Sequence, residues 1–459
     1  MSTIAPAPPA VTASSYSETR RHELRKSRLL MVDGNLVSNI RSVEAGACAR
    51  VYEGGYWGFA STSSTDEAAA RNVTDIARRN ARAMAKFGPR SRLELPNGRY
   101  RGEHEFKGKA PLTPGQCSER LAQIHAWCSH RFKDLKSTRL LAADEHHRKH
   151  VANSEGSDAV SSIQRALCYV TFIAEDERGS PVEVTEFLSG KGHLGDLDWS
   201  LESLQPQLET LYGHLQAKRK ALAARGGPAQ VVMGPHLAGI LAHEAMGHPC
   251  EADLVLGGAV TGDLVGKRVA SDLVTMVDFA HAYNGEETVV PVYCDDEGTP
   301  ARDAVLIQDG VLTEFMSSLE TAARLGLKPT GSARAYAPSD EPLVRMRNTA
   351  ILPGSSRLED MIAGMEDGYL LLRTGNGQAD STTEFMFAIS LGYEVKKGKL
   401  GAAIRDTTIS GSAIKVLESV DAVSNDMHWN SGGYCGKKQP MVVSMGGPAI
   451  RARVHMGGE

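Results

Sequence analysis

Two histidines stand five residues apart in His243-Glu244-Ala245-Met246-Gly247-His248, with Pro249 directly after. No other feature of the chain restricts its local folding so sharply. A regular α-helix turns about 100° per residue and would set the two imidazoles about 140° apart around its axis. If both are to hold one ion, the backbone has to leave the ideal helix between them. A π-type turn absorbs one residue and returns the side chains to one face. Alternatively the helix ends near Gly247, because Pro249 biases His248 away from helical geometry. Gly247 makes either solution inexpensive.

Imidazole nitrogens bind Zn²⁺, and a carboxylate beside the first histidine can take a proton from water at the ion. The pattern points to hydrolytic zinc chemistry with Glu244 as the base. Iron or cobalt suits similar donors at lower affinity. Cys435, in the Gly-flanked loop Gly432-Gly433-Tyr434-Cys435-Gly436-Lys437, is a candidate third ligand whose thiolate Lys437 and a zinc ion would favour. Cys250, Glu251 and Asp253 lie close to His248 and are alternatives that residue chemistry leaves open. For the oxyanion of an acyl-transfer step, His236, Tyr434 and His428 are candidates by proximity to the motifs. Another cluster, His146, His147 and His150, reads as a solvated polar face. Asp295-Asp296-Glu297 reads as a turn completed by Gly298.

A net charge of -4 gives no electrostatic reason to expect binding to nucleic acid or to an anionic membrane. No run approaches the ~20 apolar residues of a membrane span, and the N-terminal stretch lacks the pattern of a secretion signal. The seven cysteines form no close pairs and are expected to be reduced, in a cytoplasmic protein.

The fold class expected is α+β, an N-terminal α/β domain followed by a β-rich, barrel-like C-terminal domain. Residues 1–19 read as a disordered tail, 20–226 as the first domain and 227–459 as the second, which carries the histidines. Strands are expected at 36–51 and 56–61 around a turn at Glu53-Gly54-Gly55, then a helix over 66–86 capped by Ser63, Ser64 or Thr65. Further helices are expected at 121–132 and 198–225, the latter stopped by Gly226-Gly227-Pro228. A strand at 230–233 leads into the motif helix, 237–246. Beyond Val260, short strands alternate with Gly-containing turns.

The motif together with Glu251-Ala252-Asp253 resembles the signature of the TldD/PmbA metalloprotease family, also called modulators of DNA gyrase. Further blocks fall in the family's order: Asp295-Asp296-Glu297-Gly298, Arg345-Met346-Arg347-Asn348-Thr349, Leu352-Pro353-Gly354, Gly375-Asn376-Gly377-Gln378 with Asp380, Cys435-Gly436-Lys437 and Gly447-Pro448. Asp33-Gly34 and Gly54 to Ala60 extend the resemblance into the N-terminal half. It implies His243, His248 and Cys435 as zinc ligands and Glu244 as base, in a TldD-like catalytic subunit. It also implies a dimer, with a motif-less TldE-like subunit or with a second copy. The cavity of that dimer would take unfolded or leader-type peptides as an added strand. The alternative substrate is a small or dipeptide-like amide conjugate in a biosynthetic pathway. The cysteine loop departs from the family's Cys-Gly-Lys-x-Gly-Gln, running Cys435-Gly436-Lys437-Lys438-Gln439-Pro440.

Overall fold

The computed structural model describes residues 15–88, 93–96, 98–379 and 381–458. Its N-terminal half is built on one long hairpin. β1 (Tyr16–Val32) runs antiparallel to β2 (Asn35–Glu53), and β3 (Tyr56–Thr62) returns against the end of β2. Gly54 and Gly55, both left-handed with φ of 65° and 86°, make the tight turn expected there. β4 (Arg101–His104), β5 (Ser137–Asn153), β6 (Asp158–Glu175) and β7 (Pro181–Lys191) complete a seven-stranded sheet, with β1 paired to β5.

The buried parity of β1 switches along its length. Glu18, Arg20, His22 and Leu24 are buried first, then Leu29 and Met31. β5 switches too, from Thr138, Leu140 and Ala142 to Glu145, His147 and Lys149. The apolar ends face α2 (Pro114–Arg131) and α3 (Leu201–Lys218) around Leu121, Ile124, Phe172 and Trp199. The charged ends face the C-terminal half. Lys149 Nζ meets Asp296 at 2.6 Å, and Arg50 bridges Glu18 and Glu297.

These contacts correct two expectations and add to a third. Residues 16–19 belong to β1, where the Tyr16 hydroxyl donates to Glu18 and to the Glu297 carbonyl; residues 1–14 lie outside the described residues. His147 is buried, 3.1 Å from His22 Nε2 and 3.2 Å from Glu145, because its strand face is covered by the C-terminal half. His150 does lie outward, paired with Asp158. Asp295-Asp296-Glu297 forms the turn with Gly298, but all three carboxylates are buried and receive the cations of β1, β2 and β5 or backbone N–H groups.

Helix boundaries shift where capping chemistry decides them. α1 (Glu67–Met84) is capped by Asp66, whose carboxylate accepts from Ala69 N, in place of the three hydroxyls before it. α2 begins seven residues earlier than expected, at a capping box formed by Thr113 and Gln116. α3 spans only 201–218, from its Ser200 cap.

In the C-terminal half, β8 (Gly227–Met233) starts a closed five-stranded barrel with Ile450–Met456, Thr407–Ser412, Glu384–Lys396 and Asp367–Ala379. Closure comes from the parallel pairing of Tyr369 to Leu371 with Val231 to Met233. A six-stranded sheet lies beside it and ends in the strands Ser444–Gly447 and His428–Asn430. Among the described residues no sheet mixes strands from before and after Gly227, and no helix is long and apolar enough to cross a membrane.

Gly58 shows how tightly α1 lies on β3. A Cβ there would stand 2.0 Å from the Ala77 carbonyl oxygen and 2.4 Å from Ala81 N, both backbone atoms that cannot rotate away. Gly58→Ala is therefore expected to cost about 2 kcal/mol, read as a lowered urea midpoint. An unchanged midpoint would show that α1 is not seated on β3 in this way.

Candidate metal centre

The motif helix begins as α4 (Pro235–Ile240) and widens into a π-helical turn over Leu241–Gly247. The His248 N–H bonds the His243 carbonyl, the five-residue reach of a π turn. Of the two backbone solutions open to the sequence, this one is realised. His248 stays helical (φ -60°, ψ -49°) in spite of Pro249. Gly247 is helical as well, so its role is space: a Cβ would meet Met346 Sδ at 2.3 Å. Leu237, Leu241, Ala242, Ala245 and Met246 anchor the helix in the core shared with the barrel.

The wide turn brings the imidazoles of His243 and His248 to a centroid separation of 5.1 Å, and Cys435 reaches them from a loop 187 residues further on. One donor atom from each of the three lies within 4.8 Å of the other two, with Cys435 Sγ 3.3 Å from His248 Nε2. Only a small side-chain adjustment separates that arrangement from ~2.0–2.3 Å bonds to a single zinc. Both ring nitrogens of His243 are buried without a hydrogen-bond partner, which is costly unless something binds them. Burial alone would raise the Cys435 thiol, yet His243 and His248 hold it down at about 4, so it is a thiolate. Two imidazoles and a thiolate fit zinc.

His248 is oriented from behind. Its Nδ1 lies 2.7 Å from Glu251 Oε2, and Lys437 Nζ sits 3.0 Å from the same carboxylate. Burial pulls His248 down, but Glu251 and Cys435 raise it well above the usual imidazole range. Lys437 also bonds Asp253 and the Val344 carbonyl, while Arg345 donates to the carbonyls of Cys435 and Gln439. From the N-terminal sheet, Arg165 and Tyr169 donate to the carbonyls of Ser431 to Gly433, and the Tyr434 hydroxyl donates to Glu145. The cysteine loop is thus held from both halves. Lys438 takes a left-handed φ of 57° in the segment where the loop departs from the family pattern.

The other sequence candidates are placed differently. Cys250 is fully buried, its thiol pushed up by burial and by Glu251; Glu251 and Asp253 are taken by His248 and Lys437. Glu244 is partly exposed, with Oε2 3.7 Å from His248 Nε2. Of the oxyanion candidates, Tyr434 is committed to Glu145 and His428 to Asp426. His236 stacks on Phe187 at the far end of the helix. Sequence reasoning missed Glu145, Arg165, Tyr169 and Arg345, and only the Arg345 block carried a signal. Asp380 lies outside the described residues.

Comparison with known proteins shows the family of the chain. Residues 226–458 match the PmbA/TldA metallopeptidase C-terminal domain, 18–81 match domain 1, and 110–224 match the central domain. This chain belongs to the PmbA/TldD metallopeptidase family. It is 28% identical over 416 residues to the zinc metalloprotease TldD homolog of Saccharolobus solfataricus, covering 90% of this chain and 89% of that protein. It is 31% identical over 440 residues to a metalloprotease of Synechocystis, covering 91% and 89%. TldE from Thermococcus kodakarensis shares the fold with a TM-score of 0.76 at 19% identity, covering 96% of this chain and 97% of its own. A candidate modulator of a DNA gyrase from Thermotoga maritima matches equally well, with a TM-score of 0.76 at 18% identity and 96% of both chains.

Within this PmbA/TldD site, Lys437 supports a carboxylate that is fully buried. Lys437→Met is expected to cost about 2 kcal/mol in chelator-stripped protein, because buried Glu251 keeps only His248 and Asp253 loses its ammonium. Guanidinium unfolding would read it. A loss below about 1 kcal/mol would mean that the ammonium is not seated between them.

Proposed function

We propose that this chain is a zinc-dependent metallopeptidase of the TldD type, with His243, His248 and Cys435 as ligands and Glu244 as the general base. The observation that carries the reading is the convergence of one buried imidazole, one half-buried imidazole and a thiolate beside a carboxylate on the same helical turn. Zinc, when bound there, supplies Lewis-acid polarisation of the scissile carbonyl and makes water a better nucleophile. Glu251 holds His248 Nδ1 so that Nε2 faces the cluster. As a water oxygen attacks the carbonyl carbon, a Glu244 carboxylate oxygen takes the water's proton. When the C–N bond breaks, Glu244 returns that proton to the leaving amine nitrogen.

The substrate is an unfolded or leader-type peptide, bound as an added strand in the cavity of a dimer whose other subunit is TldE-like or a second copy. A TldE chain shares this fold over nearly its whole length, which supports such a pairing. Strand addition draws affinity from the main chain, so folded proteins are excluded. All seven cysteines are free, in keeping with a cytoplasmic setting.

Mass-spectrometric cleavage of mixed unstructured peptides and small amide conjugates tests this. Glu244→Gln is expected to lower peptide cleavage by about 10²–10⁴-fold while zinc content stays at the wild-type level. Cleavage confined to small conjugates would move the protein to the biosynthetic class. Equal cleavage by both proteins would remove Glu244 from the mechanism. Separately, Glu251→Gln is expected to weaken zinc binding by about 10–100-fold, measured by competition with a chromogenic chelator. Unchanged affinity would show that the His248 orientation does not depend on this carboxylate.

A further inference from the structure

A cavity of about 430 Å³ opens at the start of α4, away from the ligand cluster, and the mechanism above makes no use of it. Two strand edges border it. β7 contributes Glu186 to Ser189 and, among the described residues, pairs only with β6. The strand His428–Asn430 ends the six-stranded sheet and leads straight into the loop that carries Cys435. An extended peptide laid along these edges would run toward the loop that carries Cys435.

The motif helix itself marks the direction. Between Pro235 and His248, the only positions that are not buried are Pro235, His236, Ile240, Glu244 and His248. From His236 they recur every four residues and form one accessible stripe from the cavity to the general base. His236 and Glu244 are eight residues apart, or roughly 12 Å along the helix. An extended peptide covers that distance in about three or four residues.

The lining specifies what fits. Phe187 and His236 present parallel rings, Trp429 adds a third, and Met445 and Leu358 are apolar. The charges nearby are already matched, Arg373 with Glu186 at 2.9 Å and His428 with Asp426 at 2.7 Å. No unpaired charge remains among these groups to recognise a charged side chain. His236 makes no hydrogen bond among the described residues, and burial, then Arg373, lowers it to about 4, so the ring is neutral at pH 7. It is free to bond a phenol or an indole N–H.

Resting on the peptidase reading, we propose that this cavity is a specificity pocket for a neutral aromatic side chain of the substrate peptide, three or four residues from the scissile bond. Ring-on-ring packing and one hydrogen bond would then select among sequences that strand addition alone would treat alike. The family's peptide chemistry is thereby given a side-chain preference set at a distance from the bond broken.

The test uses zinc-loaded Glu244→Gln protein and fluorescence anisotropy with labelled unstructured peptides, in which a single Tyr, Trp or Ala is moved along an otherwise constant sequence. The aromatic peptides are expected to bind about tenfold more tightly than the alanine peptide. His236→Ala, and Leu358→Trp, which fills the cavity from its rim, should each bring that ratio to within about twofold. Two different variants guard against a folding defect in either one. No aromatic advantage, or an advantage that survives both substitutions, overturns the pocket. Wild-type cleavage of the same peptides runs in parallel and locates the aromatic residue relative to the bond cut. Cleavage without aromatic preference rejects the pocket and leaves the peptidase standing. Aromatic-selective binding without cleavage rejects the peptidase and leaves the pocket. A preference centred on the residues flanking the scissile bond also overturns the proposal.

Discussion

A buried ionic seam between the two halves fixes everything that follows in this structure. Arg50 joins Glu18 to Glu297, Lys149 and Arg20 meet Asp296, and Arg165 reaches across to the loop before Cys435. Taking each ion out of water costs several kcal/mol, so a fully paired seam adds little net stability. Its force is in exclusion. A docking that slipped by one strand residue would turn every partner to the wrong face, and each buried charge left alone would cost about 3–5 kcal/mol. The halves therefore have one well-defined seating, and the cysteine loop inherits that precision because Glu145, Arg165 and Tyr169 hold it from the N-terminal side.

The other half of the site depends on a local irregularity. A π turn has poorer backbone geometry than the α-helix it interrupts, and it persists here because the surrounding core leaves the helix no other register. Leu237, Leu241, Ala245 and Met246 are buried on the core side, and Met346 fills the space that the absent Gly247 side chain leaves. Correcting the turn to α-helix would rotate either the apolar stripe or one histidine out of place. Packing thus stabilises the very distortion that brings His243 and His248 together.

How much of this could be read in advance follows from where the information sits. The five-residue spacing and Pro249 left two backbone solutions, and the π turn was one of them. Glycine turns signalled the β-rich second half, and the five-stranded barrel is its outcome. By contrast, β1 and the second half of β5 were illegible as half-buried strands. Their inward residues are Glu18, Arg20, His22, Glu145, His147 and Lys149, so the usual alternation of apolar and polar residues is missing. The same cause made residues 16–19 look like tail and His147 look solvated. Cys435 is far from the histidines in the chain, so residue chemistry could not choose it over Cys250, Glu251 or Asp253. That Cys250 is a buried, raised thiol and that Glu251 and Asp253 are paired with His248 and Lys437 becomes visible only once burial and partners are known.

Lys437 illustrates the limit of proximity arguments at the site itself. Two residues from Cys435, it was expected to hold the thiolate, yet its ammonium is spent on Glu251, Asp253 and the Val344 carbonyl. The two histidines lower the thiol instead. The lysine acts one step removed, keeping the Glu251 carboxylate in place behind His248. On the proposed reading, the metal then receives negative charge directly from Cys435 and, through His248, from Glu251. Such a donor set binds zinc firmly but leaves the ion less electron-poor than three neutral imidazoles would, and so less able to acidify water. The burden of moving the proton shifts correspondingly to Glu244. On that same proposed reading, the partial exposure of Glu244, on the one accessible stripe of an otherwise buried helix, puts the base where an incoming peptide and its attacking water can both be reached.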